Sequence, residues 1–142
     1  MRIAGYKPTS LIDGDGIRFV LFTQGCVHQC DGCHNPDTWD INGGVEESVE
    51  NLANIISMHK HIDGVTLSGG EPFLQQDECV KLLKLLPSHL NVWVYTGFKY
   101  EDIQYAELAS LVNVIVDGKF EKDKVVEDKP YGSSNQRVIR LR

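Results

Sequence analysis

The chain has 142 residues, of which 42% are hydrophobic and 24% charged, a balance that excludes a disordered or fibrous protein and allows a single domain spanning 1–142 with a real core. Its formal net charge of −6 makes contact with phosphate repulsive, which argues against a nucleic-acid or anionic-membrane partner. No apolar run approaches the ~20 residues that cross a bilayer, and the opening MRIAGYKPTS lacks the apolar stretch of a signal peptide, so a cytoplasmic location is expected.

The run Ile17 to Thr23 is apolar with a β-branched and aromatic bias and reads as a buried strand. From Gln24 to about Gly44 follows a long connection rich in Gly, Cys, Asp and Asn; long ordered loops in compact domains are usually functional. Val49, Leu52, Ala53 and Ile56 then repeat at helical spacing, with Glu46 and Glu47 expected in the first turn. Gly64 to Leu67 forms a second strand, ended by Ser68-Gly69-Gly70-Glu71-Pro72. Cys79, Leu82, Leu83 and Leu86 make one apolar helix face, and Pro87 stops it.

Val92 to Tyr95 is a third strand, closed by Thr96-Gly97, and a weaker helix covers roughly Glu101 to Leu111. Val112 to Val116 makes a fourth strand ended by Asp117-Gly118-Lys119. A polar, turn-rich tail from about Phe120 to Gln136 leads to a short last strand near Arg137 to Leu141, and Arg137, Arg140 and Arg142 read as solvated charges. Strands alternating with helices predict an α/β fold with a mainly parallel sheet. A closed eight-stranded barrel takes ~250 residues, so this chain is expected to form an open partial barrel. Every glycine-rich or cysteine-rich segment falls just after a strand, at the carboxyl edge where parallel sheets bind ligands.

Cys26, Cys30 and Cys33 stand in a C-x3-C-x2-C spacing. Three thiolates so close can wrap one metal centre and cannot form two disulfides; soft thiolates select iron–sulfur clusters, zinc or copper(I). A 4Fe–4S cluster ordinarily takes four cysteines, so three local ones leave an iron open for a non-protein ligand. The alternative is a zinc site completed by His28 or His34. Cys79, on an apolar helix face, reads as core filler, and His59, His61 and His89 as surface residues. Gly69 and Gly70 allow backbone to approach a ligand closely, with carbonyls that can accept from an ammonium group. Turn capping and ligand contact are equally open for Thr96 and Asp117.

The cysteine spacing after the first strand and the Gly-Gly-Glu-Pro element after the second resemble the radical S-adenosylmethionine (SAM) superfamily. The segments Asp13 to Arg18, Gly25 to Cys30, Asn35 to Trp39, Ser68 to Pro72, Val92 to Gly97, Val116 to Phe120 and Gly132 to Gln136 are together similar to the anaerobic ribonucleoside-triphosphate reductase-activating proteins, a family of glycyl-radical activating enzymes. That resemblance implies a radical SAM type of partial barrel, with a 4Fe–4S cluster on Cys26, Cys30 and Cys33 and SAM on the fourth iron. Reductive cleavage of SAM would yield a 5′-deoxyadenosyl radical that forms a glycyl radical on the reductase, and no general acid or base is assigned. Gly32, Cys33 and His34 are expected against the adenine, and Gly69, Gly70 and Glu71 against the rest of SAM, with Glu71 alternatively orienting its loop. The implied partners are the reductase and a low-potential electron donor such as flavodoxin. Two rivals share fewer features: another small radical SAM enzyme, such as a carboxydeazaguanine synthase, and a zinc-binding module.

Overall fold

The computed structural model describes residues 1–28, 30–33, 36–127, 129 and 131–142. Strands β1 (Arg2–Ser10), β2 (Arg18–Thr23), β3 (Val45–Glu46), β4 (Gly64–Gly69), β5 (Asn91–Tyr95), β6 (Val114–Asp117) and β7 (Arg137–Arg140) make one sheet in the order β3-β1-β2-β4-β5-β6-β7. The sheet is open, ending on β3 and β7. Its central four strands, β2, β4, β5 and β6, run parallel. The outer three pair antiparallel, so the expected parallel arrangement holds for the centre only. Antiparallel neighbours need no helical crossover: among the described residues no helix intervenes between β1 and β2, and a single 3-10 turn, Lys122–Lys124, lies between β6 and β7.

Helices α1 (Val49–Ser57), α2 (Gln76–Leu85), α3 (Tyr100–Ile103) and α4 (Glu107–Leu111) fill the crossovers. The α1 helix starts where the Ser48 hydroxyl accepts from the Asn51 N–H at 3.0 Å, an N-cap that satisfies an otherwise orphaned donor. Its buried stripe is Val49, Leu52, Ala53 and Ile56, as the spacing predicts. Glu46 and Glu47 lie outside its first turn, however: Glu46 pairs with β1 as part of β3. The weak helix expected over Glu101 to Leu111 is two short ones. In a continuous helix Ile103 and Leu108 would point about 140° apart. The break at Ala106, which adopts an extended ψ of 145°, lets both reach the core.

Along the central strands alternate residues face opposite ways. Phe19, Leu21, Val65, Leu67, Val94 and Ile115 meet the helices in one large core, where α1 packs on α2 and α2 on α4. Cys79 is part of it, fully buried, and burial pushes its thiol up to about 12, as fits a core residue. On the opposite face Trp93, Val114 and Val116 form a smaller cluster with Tyr95, Tyr131 and Val138. The helices therefore cover one face of the sheet, and loops cover the other.

Candidate functional site

The segments following β2, β4, β5 and β6 meet over the loop-covered face and bound a cavity of about 750 Å³. Cys26, Cys30 and Cys33 all line it, joined by Ser68, Gly69 and Gly70 from the end of β4. Tyr95, Thr96 and Gly97 contribute from β5, and Gly118 and Phe120 from beyond β6. The far wall comes from Leu11, Ile12 and the Asp13–Asp15 turn on one side and from Tyr131, Gly132 and Gln136 on the other.

The cysteine loop is held at both ends. Gly25 N–H donates to Thr38 O at 2.6 Å and Cys26 N–H to Trp39 O at 3.1 Å, while Cys33 N–H donates to Cys30 O at 3.1 Å. Gln24 braces the returning half, its amide donating to the carbonyls of Asp37 at 2.9 Å and Asp40 at 2.8 Å. None of the four cysteines is in a disulfide. Burial pushes the Cys30 thiol upward, countered in part by a backbone hydrogen bond from Phe120. Three soft sulfur donors thus border one cavity, a donor set suited to an iron–sulfur cluster. Among the described residues no three His, Cys, Asp or Glu side chains converge on a point that would hold a single ion.

The remaining site candidates separate. Gly69 and Gly70 border the cavity, and a side chain is barred from Gly70 by protein rather than by ligand. A Cβ there would lie 2.2 Å from Gly25 O, because Glu71 N–H donates to that same oxygen at 2.7 Å. Gly32 turns at φ +72° toward Lys122 and Phe120 and is not among the residues bordering the cavity. His34 lies outside the described residues.

Glu71 is fully buried beneath the cavity. Its Oε1 accepts from Thr96 Oγ1 and Gly97 N–H, each at 2.8 Å, and lies 2.6 Å from His28 Nε2. Its Oε2 accepts from Phe73 N–H at 3.0 Å. The carboxylate is therefore held by protein groups from the loops after β2, β4 and β5. The Thr96 hydroxyl, while donating to Glu71, also accepts from Phe98 N–H at 3.1 Å and so caps its own turn. Asp117 also caps: its Oδ2 accepts from Tyr100 N–H at 2.7 Å and from the Arg137 guanidinium, which also grips Glu101 at 2.8 Å. Arg137 is thus an ion-pair partner and not merely a solvated charge.

Sequence reasoning treated His28 only as a candidate zinc ligand, and it missed Leu11, Ile12 and Tyr131 as wall residues. The available signals were the Asp13–Arg18 and Gly132–Gln136 segments, whose turn-forming composition marks loops without saying which cavity they border.

Residues 12–139 match the family described as a 4Fe-4S single cluster domain, a description that favours iron over zinc. The chain is 37% identical to the anaerobic ribonucleoside-triphosphate reductase-activating protein of Enterobacteria phage T4, over 92% of this chain and 88% of that one. It is 35% identical to the protein of the same name from Salmonella typhimurium, over the full length of both. The Escherichia coli K12 protein of that name is 36% identical, over 96% of this chain and 97% of its own. A cavity bordered by three cysteines, together with this end-to-end similarity, places the chain in the family of anaerobic ribonucleoside-triphosphate reductase-activating proteins, with a 4Fe-4S single cluster domain.

Proposed function

We propose that the chain is a radical SAM activase that installs a glycyl radical on an anaerobic ribonucleoside-triphosphate reductase. The observation that carries this reading is the convergence of Cys26, Cys30 and Cys33 with the Gly69-Gly70 backbone on one cavity. That cavity, about 750 Å³, falls in the range of sites that enclose a ligand of SAM's size, about 300–1,000 Å³. An open sheet with a parallel centre, helices on one face and the cavity over the other, supports reading the fold as a radical SAM partial barrel.

In this reading Cys26, Cys30 and Cys33 hold the cluster, leaving one iron for SAM. When bound, the pair supply one-electron cleavage of SAM to methionine and a hydrogen-abstracting 5′-deoxyadenosyl fragment, the electron coming from a low-potential donor such as flavodoxin. The Gly69 and Gly70 backbone would offer carbonyls to SAM's ammonium group, and the Cys33 backbone, which also borders the cavity, would contact the adenine. Tyr95, whose phenol is pushed upward by burial, then by Asp13, stays neutral and presents an uncharged wall. The chain's task is positioning and exclusion of side reactions; the reacting glycine Cα must come within ~3–3.5 Å of the abstracting carbon. A flexible loop of the partner reductase, entering between the Leu11–Asp15 turn and the Tyr131–Gln136 segment, satisfies that requirement.

The test is to mix the reduced protein, SAM and an anaerobic reductase. A stable organic radical should form on the reductase, with an electron paramagnetic resonance doublet from the remaining α-hydrogen that collapses with α-deuterated glycine. Normal SAM cleavage with no radical on a cognate reductase, and a small molecule consumed instead, would overturn the assignment.

A further inference from the structure

We propose that His28 is a positioning residue: through its bond to buried Glu71 it holds the cysteine-bearing stretch in register with the glycine loop, and so sets where the open iron meets SAM. This rests on the SAM reading above.

The geometry is specific. His28 lies between two of the cluster cysteines, yet its side chain is only 5% exposed and its Nε2 sits 2.6 Å from Glu71 Oε1. A carboxylate offers only lone pairs, so the ring presents its Nε2 hydrogen; that nitrogen is thereby committed and is not available to a metal. The ring packs edge-on against Phe98, centroids 4.6 Å apart. Gly97 makes room for it: a Cβ there would lie 2.4 Å from His28 Cδ2.

Glu71 in turn is bound by the loop after β5, through the Thr96 hydroxyl and Gly97 N–H, and by its own loop through Phe73 N–H. One carboxylate thus joins the segments after β2, β4 and β5. Two backbone bonds also link the first two of these, Gly70 N–H to Thr23 O at 2.9 Å and Glu71 N–H to Gly25 O at 2.7 Å. Both precede Cys26. The His28 bond falls after it, within the stretch that carries the ligands, where it fixes the direction in which that stretch leaves the strand end.

The experiment uses anaerobically reconstituted protein with His28→Leu and His28→Gln. Glutamine can restore an N–H donor toward Glu71; leucine cannot. Iron per chain is measured first, and then apparent SAM affinity, from the change that SAM induces in the reduced cluster's electron paramagnetic resonance spectrum. Loss of one charge-assisted bond should weaken SAM binding about tenfold in His28→Leu, with iron retained. His28→Gln should return to within about threefold of wild type. A purely structural role would lower thermal stability without moving the SAM-dependent spectrum. Unchanged SAM affinity in His28→Leu overturns the inference, as does loss of iron from that variant, which would mean that His28 serves cluster retention instead. A wild-type protein whose spectrum ignores SAM removes the underlying activase reading, an outcome distinct from either.

Discussion

Replacing Gly70 by Ala tests the contact between the cysteine loop and the glycine loop. The added Cβ would sit 2.2 Å from Gly25 O and 2.8 Å from its carbonyl carbon, roughly 1 Å inside ordinary van der Waals contact. Both partners are backbone, so no side chain can swing away. Moving the loops apart by that amount stretches the 2.7 Å bond from Glu71 N–H to Gly25 O to about 3.7 Å, beyond hydrogen-bonding distance. Overpacking of this kind costs about 1–3 kcal/mol, and a buried bond left unmade adds about 1–3 kcal/mol. A total near 4 kcal/mol is a large share of the 5–15 kcal/mol typical of a folded domain, and for a chain of this size it lowers Tm by roughly 10–20 °C. Cys26 directly follows Gly25, so iron content should fall as well. Thermal melts and iron analysis of Gly70→Ala, both without SAM, are the assay: the clash is with protein, so the loss must appear with no ligand present. A variant that melts within about 2 °C of wild type and binds its full iron would refute the reasoning.

Substituting any of Cys26, Cys30 or Cys33 by Ala should abolish the brown cluster of about four irons and four sulfides, read by iron and sulfide analysis. Cys79→Ala should keep it, with a packing loss of about 1–2 kcal/mol on urea unfolding. Because burial holds the Cys79 thiol up to about 12, it should resist alkylation in native protein at neutral to mildly alkaline pH and react on unfolding, as mass spectrometry would show. Its raised value also sets a pH trend: the stabilisation from keeping the thiol neutral is whole below the unfolded value near 9.0 and is lost as pH climbs toward about 12. Arg137→Ala strips a partner from Asp117, whose side chain is 2% exposed, and should destabilise by about 1–3 kcal/mol. Glu101→Ala, at a half-exposed carboxylate, should cost under about 1 kcal/mol; equal losses for the two would contradict the clamp.

The parts of the fold that were legible in the sequence are those fixed by local pattern. The strands β2, β4, β5 and β6 are short apolar runs, and α1 and α2 carry apolar stripes at helical spacing, so period alone finds them. The β1 strand escaped because most of its residues are exposed and because Gly5 and Pro8 read as breakers. Both sit at irregularities in its pairing with β2, between Ile3 and Gly5 and between Lys7 and Ser10, in the part of β1 that runs beyond its pairing with β3 at Arg2 and Ile3, where breaks in the ladder are tolerated. The three cysteines were legible from spacing, since one loop carries them all. The partners of Glu71 were not, although a loop-orienting role was open to it, because His28, Thr96 and Gly97 come from other loops and only the fold brings them to it. Gly70 shows the same limit. Its need for a missing side chain was foreseen, but the close neighbour is the Gly25 backbone, 45 positions away in the chain.

The far wall of the cavity is tied to the same sheet as the ligand loops, and a buried cation makes the tie. Arg18 is 1% exposed, and burial pushes its guanidinium down to about 10, with Tyr95, Asp15 and Asp63 opposing, so it remains charged at neutral pH. Its Nη1 donates to Asp15 O at 2.8 Å, its Nη2 to the carbonyls of Val65 at 3.0 Å and Asn91 at 2.8 Å, and its Nε to Thr66 Oγ1 at 2.7 Å. The Thr66 hydroxyl passes its own hydrogen to Asp13 O at 2.7 Å. A guanidinium bonded to carbonyls from the wall turn and from strands β4 and β5 leaves that turn little freedom to lift away, and the Trp93 ring, 5.5 Å from its carbon, shields it from water. From β7, Arg140 adds an exposed pair with Asp15 at 3.1 Å, worth little by itself. The buried bonds therefore fix the turn's backbone, and Leu11 and Ile12, 72% and 74% exposed, project to solvent at its outer end. A wall anchored in this way gives the cavity a base tied to the sheet and an exposed apolar rim at Leu11 and Ile12.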